Sequence, residues 1–153
     1  LDDLGSLDLV WHLLETRTSI FALYLRTAIK RNPQSVIQLL NDADEILYTA
    51  ESYINYDWKL LHLLSRATNN PICTLILNGF KTLYLRVGSY YYSNPSTRDL
   101  AAAFYQKLLL MIEDKTEIEQ IISVLWQYSR EGGEYFHAMR IDMPPLCSLG
   151  DQF

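Results

Sequence analysis

The chain has 153 residues, and 49% of them are hydrophobic while 20% are charged, so one folded domain with a substantial core is expected rather than a disordered segment. The formal net charge is −5, which argues against direct binding of nucleic acid, since such binding requires a dense basic face.

The two cysteines, Cys73 and Cys147, are too few for a disulfide framework and are typical of a reducing compartment, which we expect to be the cytoplasm. No signal peptide is visible, and no apolar run is long enough to span a bilayer, so no membrane partner is expected. The chain begins at Leu1 without a Met and already in an amphipathic pattern. We therefore expect a piece of a longer protein.

Apolar residues recur with helical periodicity in every segment, and strand-like alternation is almost absent. Asn32-Pro33 and Asn94-Pro95 are typical helix starts, because Asn caps a helix and Pro suits its first position. Short connections predict an all-α antiparallel bundle that forms a single domain over residues 1–153, with a loose tail at 141–153. The six predicted helices cover residues 7–30, 33–51, 56–67, 71–92, 95–113 and 116–140.

The stretch 71–92 is the most apolar of these, and only Lys81 and Arg86 carry charge in it. Such a helix is expected to be wrapped by others. Its inward stripe carries a glycine and aromatic residues with hydroxyl groups. Such residues suit a core that encloses a polar molecule. The stripe comprises Cys73, Leu77, Phe80, Tyr84, Gly88 and Tyr91, and is extended by Ile76, Leu83, Val87 and Tyr90.

Arg17 lies in the middle of the apolar stripe of the first helix, within one arc that also holds Leu14, Phe21 and Tyr24. A buried guanidinium is costly unless it is paired. Two explanations remain open. Arg17 either pairs with a carboxylate on a neighbouring helix, or faces a cavity where it meets a polar or anionic ligand.

The inward stripe of the last helix changes from branched aliphatic residues to Ser129 and Gly132 halfway along, before Phe136. Glycine within a helix costs about 1 kcal/mol relative to Ala, and Gly132-Gly133 places two there. These small residues either let another helix approach closely or leave room for a ligand, and the double glycine predicts a kink.

Tyrosine is abundant, with 11 in the chain. Buried hydroxyls need hydrogen-bond partners, and a shared polar lining around a bound molecule would satisfy several of them more economically than separate structural bonds. The inward tyrosines are Tyr24, Tyr84, Tyr91, Tyr105 and Tyr128.

No arrangement of residues indicates catalysis. His12, His62 and His137 lie on three different helices, and no Gly-rich phosphate loop or Ser-His-Asp pattern is present. We therefore expect a helical binding or packing module rather than an enzyme.

Six short segments carry a resemblance to a known family. They are Thr16-Arg17-Thr18, Asn69-Asn70-Pro71-Ile72, Leu75-Ile76-Leu77-Asn78-Gly79, Leu83-Tyr84-Leu85-Arg86-Val87-Gly88, Phe104-Tyr105-Gln106-Lys107-Leu108 and Tyr128-x-x-Glu131-x-Gly133-Glu134-x-x-His137-x-Met139. In this order they resemble the effector domain of the FadR family, the fatty-acid-metabolism regulators of the GntR superfamily. The resemblance implies an antiparallel bundle of six or seven helices that binds long-chain fatty acyl-CoA. It also implies a homodimeric full-length protein that contacts DNA only through a winged helix-turn-helix domain preceding Leu1.

The resemblance also implies which residues meet the ligand. An acyl chain needs an apolar slot, the thioester and pantetheine need hydrogen bonds, and the phosphates need cations at the mouth. The matching positions are Arg17, Tyr84, Tyr91, Tyr128, Ser129, Gly132 and Phe136. Phe21, Gly88 and Tyr105, which lie on the same inward faces, complete the predicted site.

Three positions depart from the family pattern, which carries Gly, Ser and Trp where this chain has Ser129, Gly132 and Phe136. The helix keeps a small face, but the Trp becomes a smaller ring without a donor. Affinity or chain-length preference is therefore expected to differ from the family norm.

The wider superfamily offers a second template, in which an Asp and three His bind a metal and then a small carboxylate. Asp57 aligns with that Asp, but Leu61 stands at the first His position, and His62 is turned about 100° around the helix. No metal and no cofactor are therefore expected.

These observations predict an effector domain that binds long-chain acyl-CoA and thereby lowers DNA binding by the full-length protein, controlling genes of fatty-acid degradation and synthesis. The ligand is expected to favour one packing of the last helix, kinked near Gly132. Two alternatives stay open: a metal-dependent small-carboxylate effector domain, and a purely structural dimerisation module.

Overall fold

The computed structural model of the chain describes residues 2–139, with side chains from residue 11 onward. Within that range the backbone forms seven α-helices, one 3-10 turn at Asp42–Glu45 and no strand, which confirms the all-α prediction. The helices are α1 (Asp2–Arg31), α2 (Pro33–Asn41), α3 (Ala50–Ala67), α4 (Pro71–Gly79), α5 (Lys81–Tyr91), α6 (Pro95–Glu113) and α7 (Ile118–Met139).

The long helix α1 is central, because it packs against α2, α3 and α7. Helix α3 also contacts α4 and α5, and α6 lies against α2 and α7. The inward residues are large and apolar, and each fully buried Leu or Phe contributes about 1.5–3 kcal/mol. The fully buried core includes Phe21, Leu25, Leu60, Leu61, Leu64, Leu77, Leu108 and Leu125.

Side-chain caps define where four of the helices begin. Asn32, Thr49, Asn70 and Asn94 each accept a backbone N–H from the first turn of the helix that follows. A Pro occupies the first position of α2, α4 and α6, where its missing N–H costs nothing. The starts predicted at 33, 71 and 95 are therefore confirmed.

The second and third helices differ from their predicted bounds. The helix predicted over 33–51 ends at Asn41, and α3 begins at Ala50 rather than at 56. The reason is local: Thr49 is extended and its hydroxyl accepts the N–H of Ser52 at 3.1 Å, which starts a new helix. This earlier start brings Ile54 into α3, where it is buried.

The single helix predicted over 71–92 is wrong, because the chain breaks at Phe80 into α4 and α5. Phe80 has φ −118° and ψ 19°, outside the helical region, and follows Gly79, a poor helix former. The first half is also not wrapped by other helices: Ile72, Leu75 and Ile76 are exposed, and Leu77 is the buried residue of α4.

The tail predicted at 141–153 lies outside the described residues, as does Arg140, the last residue of the predicted sixth helix. In residues 2–139, no helix is both long and apolar enough to cross a bilayer.

Candidate functional site

A small cavity of about 50 Å³ lies where α1, α3, α5 and α7 meet. Most of its lining surface is apolar, and side chains with polar ends from all four helices also contribute to the wall. Its lining comprises Leu13, Leu14, Arg17, Thr18, Ile54, Asp57, Tyr84, Val87, Gly88, Tyr91, Tyr92, Tyr128, Ser129, Gly132 and Gly133.

Seven of the ten residues predicted from the sequence line this cavity, so the predicted set is largely brought together. The three others lie behind the wall. Phe21 is fully buried beneath the Arg17 guanidinium, whose Cζ lies 5.4 Å from the ring centroid. Tyr105 is fully buried on α6, and Phe136 packs with Leu13 in a separate apolar cluster. The seven lining residues are Arg17, Tyr84, Gly88, Tyr91, Tyr128, Ser129 and Gly132.

Arg17 forms an ion pair with Asp57 of α3. Its Nη2 donates to both carboxylate oxygens, at 2.8 and 3.0 Å. Asp57 is 1% exposed, and the Arg17 side chain is largely buried. Burial alone would lower the pKa of the guanidinium, but attraction to Asp57 and the nearby tyrosines raises it above its usual value. The ion-pair explanation of Arg17 is therefore confirmed, although Arg17 also lines the cavity.

Two tyrosines complete the environment of Asp57. The hydroxyl of Tyr84 donates to Oδ2 and in turn accepts Arg17 Nε at 2.8 Å. The hydroxyl of Tyr105 donates to Oδ1 at 2.9 Å. A buried carboxylate needs this many donors, since an unpaired buried charge is very costly. Asp57 of α3 therefore forms hydrogen bonds with side chains of α1, α5 and α6.

Burial raises the pKa of the phenols that surround this acid. The nearby Arg17 cation lowers the pKa of each of them, and the charge of Asp57 raises it, because a second negative charge would be repelled; burial is the largest effect and the net pKa is raised. These phenols therefore remain neutral hydrogen-bond donors. They are Tyr84, Tyr92, Tyr105 and Tyr128.

The contact between α1 and α7 is polar where it meets the cavity. The hydroxyls of Thr18 and Ser129 share a hydrogen bond of 2.6 Å. Next to it, the phenol of Tyr91 occupies the space above Gly132, where a Cβ would overlap the hydroxyl and lie 3.3 Å from Cζ. Gly132 thus makes room for a tyrosine, so close packing explains the small face of α7, which stays helical through Gly132.

Gly88 is a second position where a side chain is excluded. A Cβ there would overlap Cδ1 of Ile54 and lie 2.7 Å from its Cγ1. Ile54 is only 2% exposed and has little freedom to move. The glycine therefore sets how closely α5 approaches α3.

We predict that Gly88→Ala destabilises the protein. Overpacking costs about 1–3 kcal/mol, and about 1 kcal/mol of improved helix propensity offsets only part of it. Urea unfolding should show a lower midpoint. Gly79→Ala is the matched control, since a Cβ at 79 meets no atom within 4 Å, and it should leave the midpoint unchanged or raise it. Equal midpoints for Gly88→Ala and the parent would contradict the close α3–α5 contact.

An open groove of about 460 Å³ adjoins the cavity. Leu14, Ser129 and Gly133 line both, so these residues form the partition between them. Two exposed indoles, one guanidinium and two carboxylates line the groove. Its other lining residues are Trp11, Glu15, Trp126, Arg130, Glu134 and His137.

The cavity itself is smaller than the sequence analysis anticipated. Ligand pockets usually measure about 300–1,000 Å³, and a space of about 50 Å³ holds a water or two rather than a lipid tail. The expectation of a hollow interior is therefore wrong for this structure, because the inward phenols hydrogen-bond to Asp57 and to one another and fill the space.

Sequence reasoning missed Asp57 as a member of this site and considered it only as an aligned metal ligand. A signal was available: Asp57 falls at helical spacing between Ile54 and Leu60 on the buried face of α3, as Arg17 does on α1. Among the residues with described side chains, no three His, Cys, Asp or Glu lie close enough to hold a metal ion.

Comparison with known proteins identifies the family. Residues 1–147 match the FadR C-terminal domain family. Curated relatives named fatty acid metabolism regulator protein include those of Erwinia tasmaniensis (41% identity over 89% of this chain), Shewanella sp. strain ANA-3 (39% over 94%) and Pectobacterium carotovorum (39% over 89%). The matched part of the chain spans 57%, 59% and 56% of the length of these relatives, respectively. The match confirms the resemblance drawn from the six segments, and the chain belongs to the FadR C-terminal domain family.

Proposed function

We propose that this chain is the effector domain of a bacterial transcription regulator, and that it binds long-chain fatty acyl-CoA at the cavity and the adjoining groove. Binding lowers the DNA affinity of the full-length protein, and no catalysis is involved. The observation that carries the proposal is a small cavity that shares three lining residues, Leu14, Ser129 and Gly133, with a large open groove, in a chain of the FadR family.

The acyl chain enters from the groove and widens the cavity by separating α7 from α1. A chain of sixteen or more carbons needs far more than the 50 Å³ present, so the observed state is the closed one. The partition is a suitable place to open, because the Thr18–Ser129 hydroxyl pair crosses it, whereas the Arg26–Glu119 ion pair, which also links α1 to α7, lies away from it in the first turn of α7. Burial of each methylene contributes about 0.8 kcal/mol, which drives the opening.

The polar part of the ligand stays in the groove. Trp11 and Trp126 are 47% and 43% exposed there, which leaves indole faces available to a nucleotide base. Arg130 supplies a cation for phosphate oxygens, and its Nη2 is held by Gln127 at 3.0 Å.

The response follows from the state that the ligand selects. A ligand shifts an equilibrium only through different affinity for the two states, and only the open state has room for the acyl chain. Movement of α7 displaces α1, because Thr18 of α1 is hydrogen-bonded to Ser129 of α7 and the two helices pack together. In the full-length protein, α1 then carries the change toward the DNA-binding domain.

The departures at 129 and 132 fit this scheme. Ser129 supplies the hydroxyl that ties α7 to Thr18, and Gly132 accommodates Tyr91. Phe136 packs edge-on against Tyr90, with ring centroids 6.3 Å apart, in the apolar cluster with Leu13. Together they stabilise the closed state, so acyl-CoA binds more weakly than it would without the Thr18–Ser129 bond.

The purely structural alternative is favoured by the neutralised Arg17, by the small volume left inside the bundle and by the packing of Tyr91 on Gly132. It requires that the partition never opens. No observation favours the metal-dependent alternative, since the Asp57 carboxylate already accepts Arg17, Tyr84 and Tyr105.

Calorimetric titration with oleoyl-CoA and palmitoyl-CoA tests the proposal. We expect saturable heat with a chain-length preference, and we expect Gly132→Leu to abolish it by filling the route for the acyl chain. Gly79→Leu adds the same side chain at a position with open space and should bind like the parent. Circular dichroism confirms that both variants fold. No heat from the parent chain at tens of micromolar ligand, or equal binding by both variants, would refute the proposed site.

A further inference from the structure

A second groove, of about 530 Å³, lies away from the cavity, at the end of α1. Arg31, which lines this groove, and Arg17, which lines the cavity, are 14 residues apart on α1, or about 20 Å along the helix axis. The groove is therefore a separate site. Its lining comprises Arg31, Asn32, Ser35, Lys59, His62, Leu63, Arg66, Ala67 and Asn69.

The groove is cationic in a chain whose net charge is −5. Arg31, Lys59 and Arg66 line it, and no Asp or Glu does. Within residues 11–139, none of these three cations forms a salt bridge. Arg31 donates from Nη1 to the carbonyl oxygen of Thr68, which orients its guanidinium beside the groove. Three cations without acidic partners form a field that attracts anions.

The local structure directs these charges to one place. Lys59, His62 and Arg66 recur at helical spacing on one face of α3, and Lys59 and Arg66 are two turns, about 10 Å, apart. Side chains of this length can converge on a single multiply charged group. Asn32 and Ser35 place the positive end of the α2 dipole at the groove, where it offsets part of the negative potential from the C-terminal ends of α1 and α3.

We propose that this groove binds a small phosphate-bearing ligand of the nucleoside diphosphate class. The volume is within the range of about 300–1,000 Å³ that such ligands occupy. Three cations match the charge of a diphosphate, while Leu63 and Ala67 provide apolar surface for a base. Both α1 and α3 also line the acyl-CoA cavity proposed above, so the two sites share helices, but the groove does not depend on that proposal.

Calorimetry with ADP at low salt tests the groove. We expect saturable binding of ADP, weaker binding of pyrophosphate and none of adenosine, because the phosphates supply most of the attraction. Lys59→Glu should weaken ADP binding at least about tenfold. Lys107→Glu makes the same charge change on an exposed position of α6, outside the groove, and should leave binding within about twofold.

Three results would overturn the proposal. The first is no heat with ADP at millimolar concentration, in which case Arg31 and Arg66 serve only the C-terminal ends of α1 and α3. The second is equal loss in the Lys59→Glu and Lys107→Glu variants, which indicates net charge alone. The third is binding of a DNA duplex, but not ADP, with sensitivity to Lys59→Glu. Titration of the Lys59→Glu variant with oleoyl-CoA tests the acyl-CoA cavity separately. Binding of oleoyl-CoA by this variant would show that the cavity proposal holds even where the groove proposal fails.

Discussion

Replacing Asp57 by Leu should lower the free energy of unfolding by about 3–5 kcal/mol, which is a large part of the stability of a domain this size. The substitution leaves the buried guanidinium of Arg17 without a counter-charge and removes the acceptor of the Tyr84 and Tyr105 hydroxyls. An orphaned buried charge is costly because nothing replaces the water it lost on folding. Urea unfolding, followed by circular dichroism, measures the loss.

Two further variants separate the charge from the packing. The double variant Arg17→Met/Asp57→Leu removes both charges and should recover most of the stability, since an apolar pair of similar volume often replaces a buried ion pair without loss. Glu119→Gln breaks the exposed pair with Arg26 and should leave the unfolding midpoint within error. Equal effects of Asp57→Leu and Glu119→Gln would show that the Asp57 network adds no stability.

The second large effect is expected at alkaline pH. Four buried phenols, those of Tyr84, Tyr92, Tyr105 and Tyr128, have a folded-state pKa raised by burial above the usual value near 10. Their stabilising effect is complete below about pH 10 and is lost as the pH rises toward the folded-state pKa, because only the unfolded chain releases these protons. Above pH 10, ionisation of each phenol in the unfolded chain lowers the free energy of unfolding by about 1.4 kcal/mol per pH unit, and the four together lower it by about 6 kcal/mol per pH unit.

The chain should therefore unfold cooperatively within about one to two pH units above 10. Phenolate absorbance and helical circular dichroism, measured on the same samples, should change together. The same absorbance titration in denaturant is the control and should give ordinary tyrosine ionisation. Gradual ionisation near pH 10 with the helices intact would contradict the buried phenol cluster.

The relation between Arg17 and Asp57 shows where sequence reasoning stops. Periodicity placed Arg17 on an inward stripe of α1, and the cost of a buried guanidinium required a partner. The partner lies 40 residues away on another helix, and no rule of spacing connects the two. Only the packing of α1 against α3 selects Asp57 from the carboxylates of the chain.

The stretch 71–92 shows a second limit. Its composition predicted one buried helix, but the chain breaks at Phe80 and leaves Ile72, Leu75 and Ile76 of α4 exposed. Propensity and periodicity describe a helix in isolation, whereas its end depends on what the next turn packs against. A glycine at 79 permitted the break, and packing of α5 against α3 placed it.

The sequence by itself determined the helical class, three of the capped starts, the family and seven of the fifteen cavity-lining residues, because local hydrogen bonds, apolar periodicity and motif order are written along the chain. The tertiary structure alone decided how far the interior is filled. The volume left between four helices depends on which phenols reach Asp57 and on how closely Gly88 and Gly132 let the helices approach, and these are distances between residues far apart in sequence.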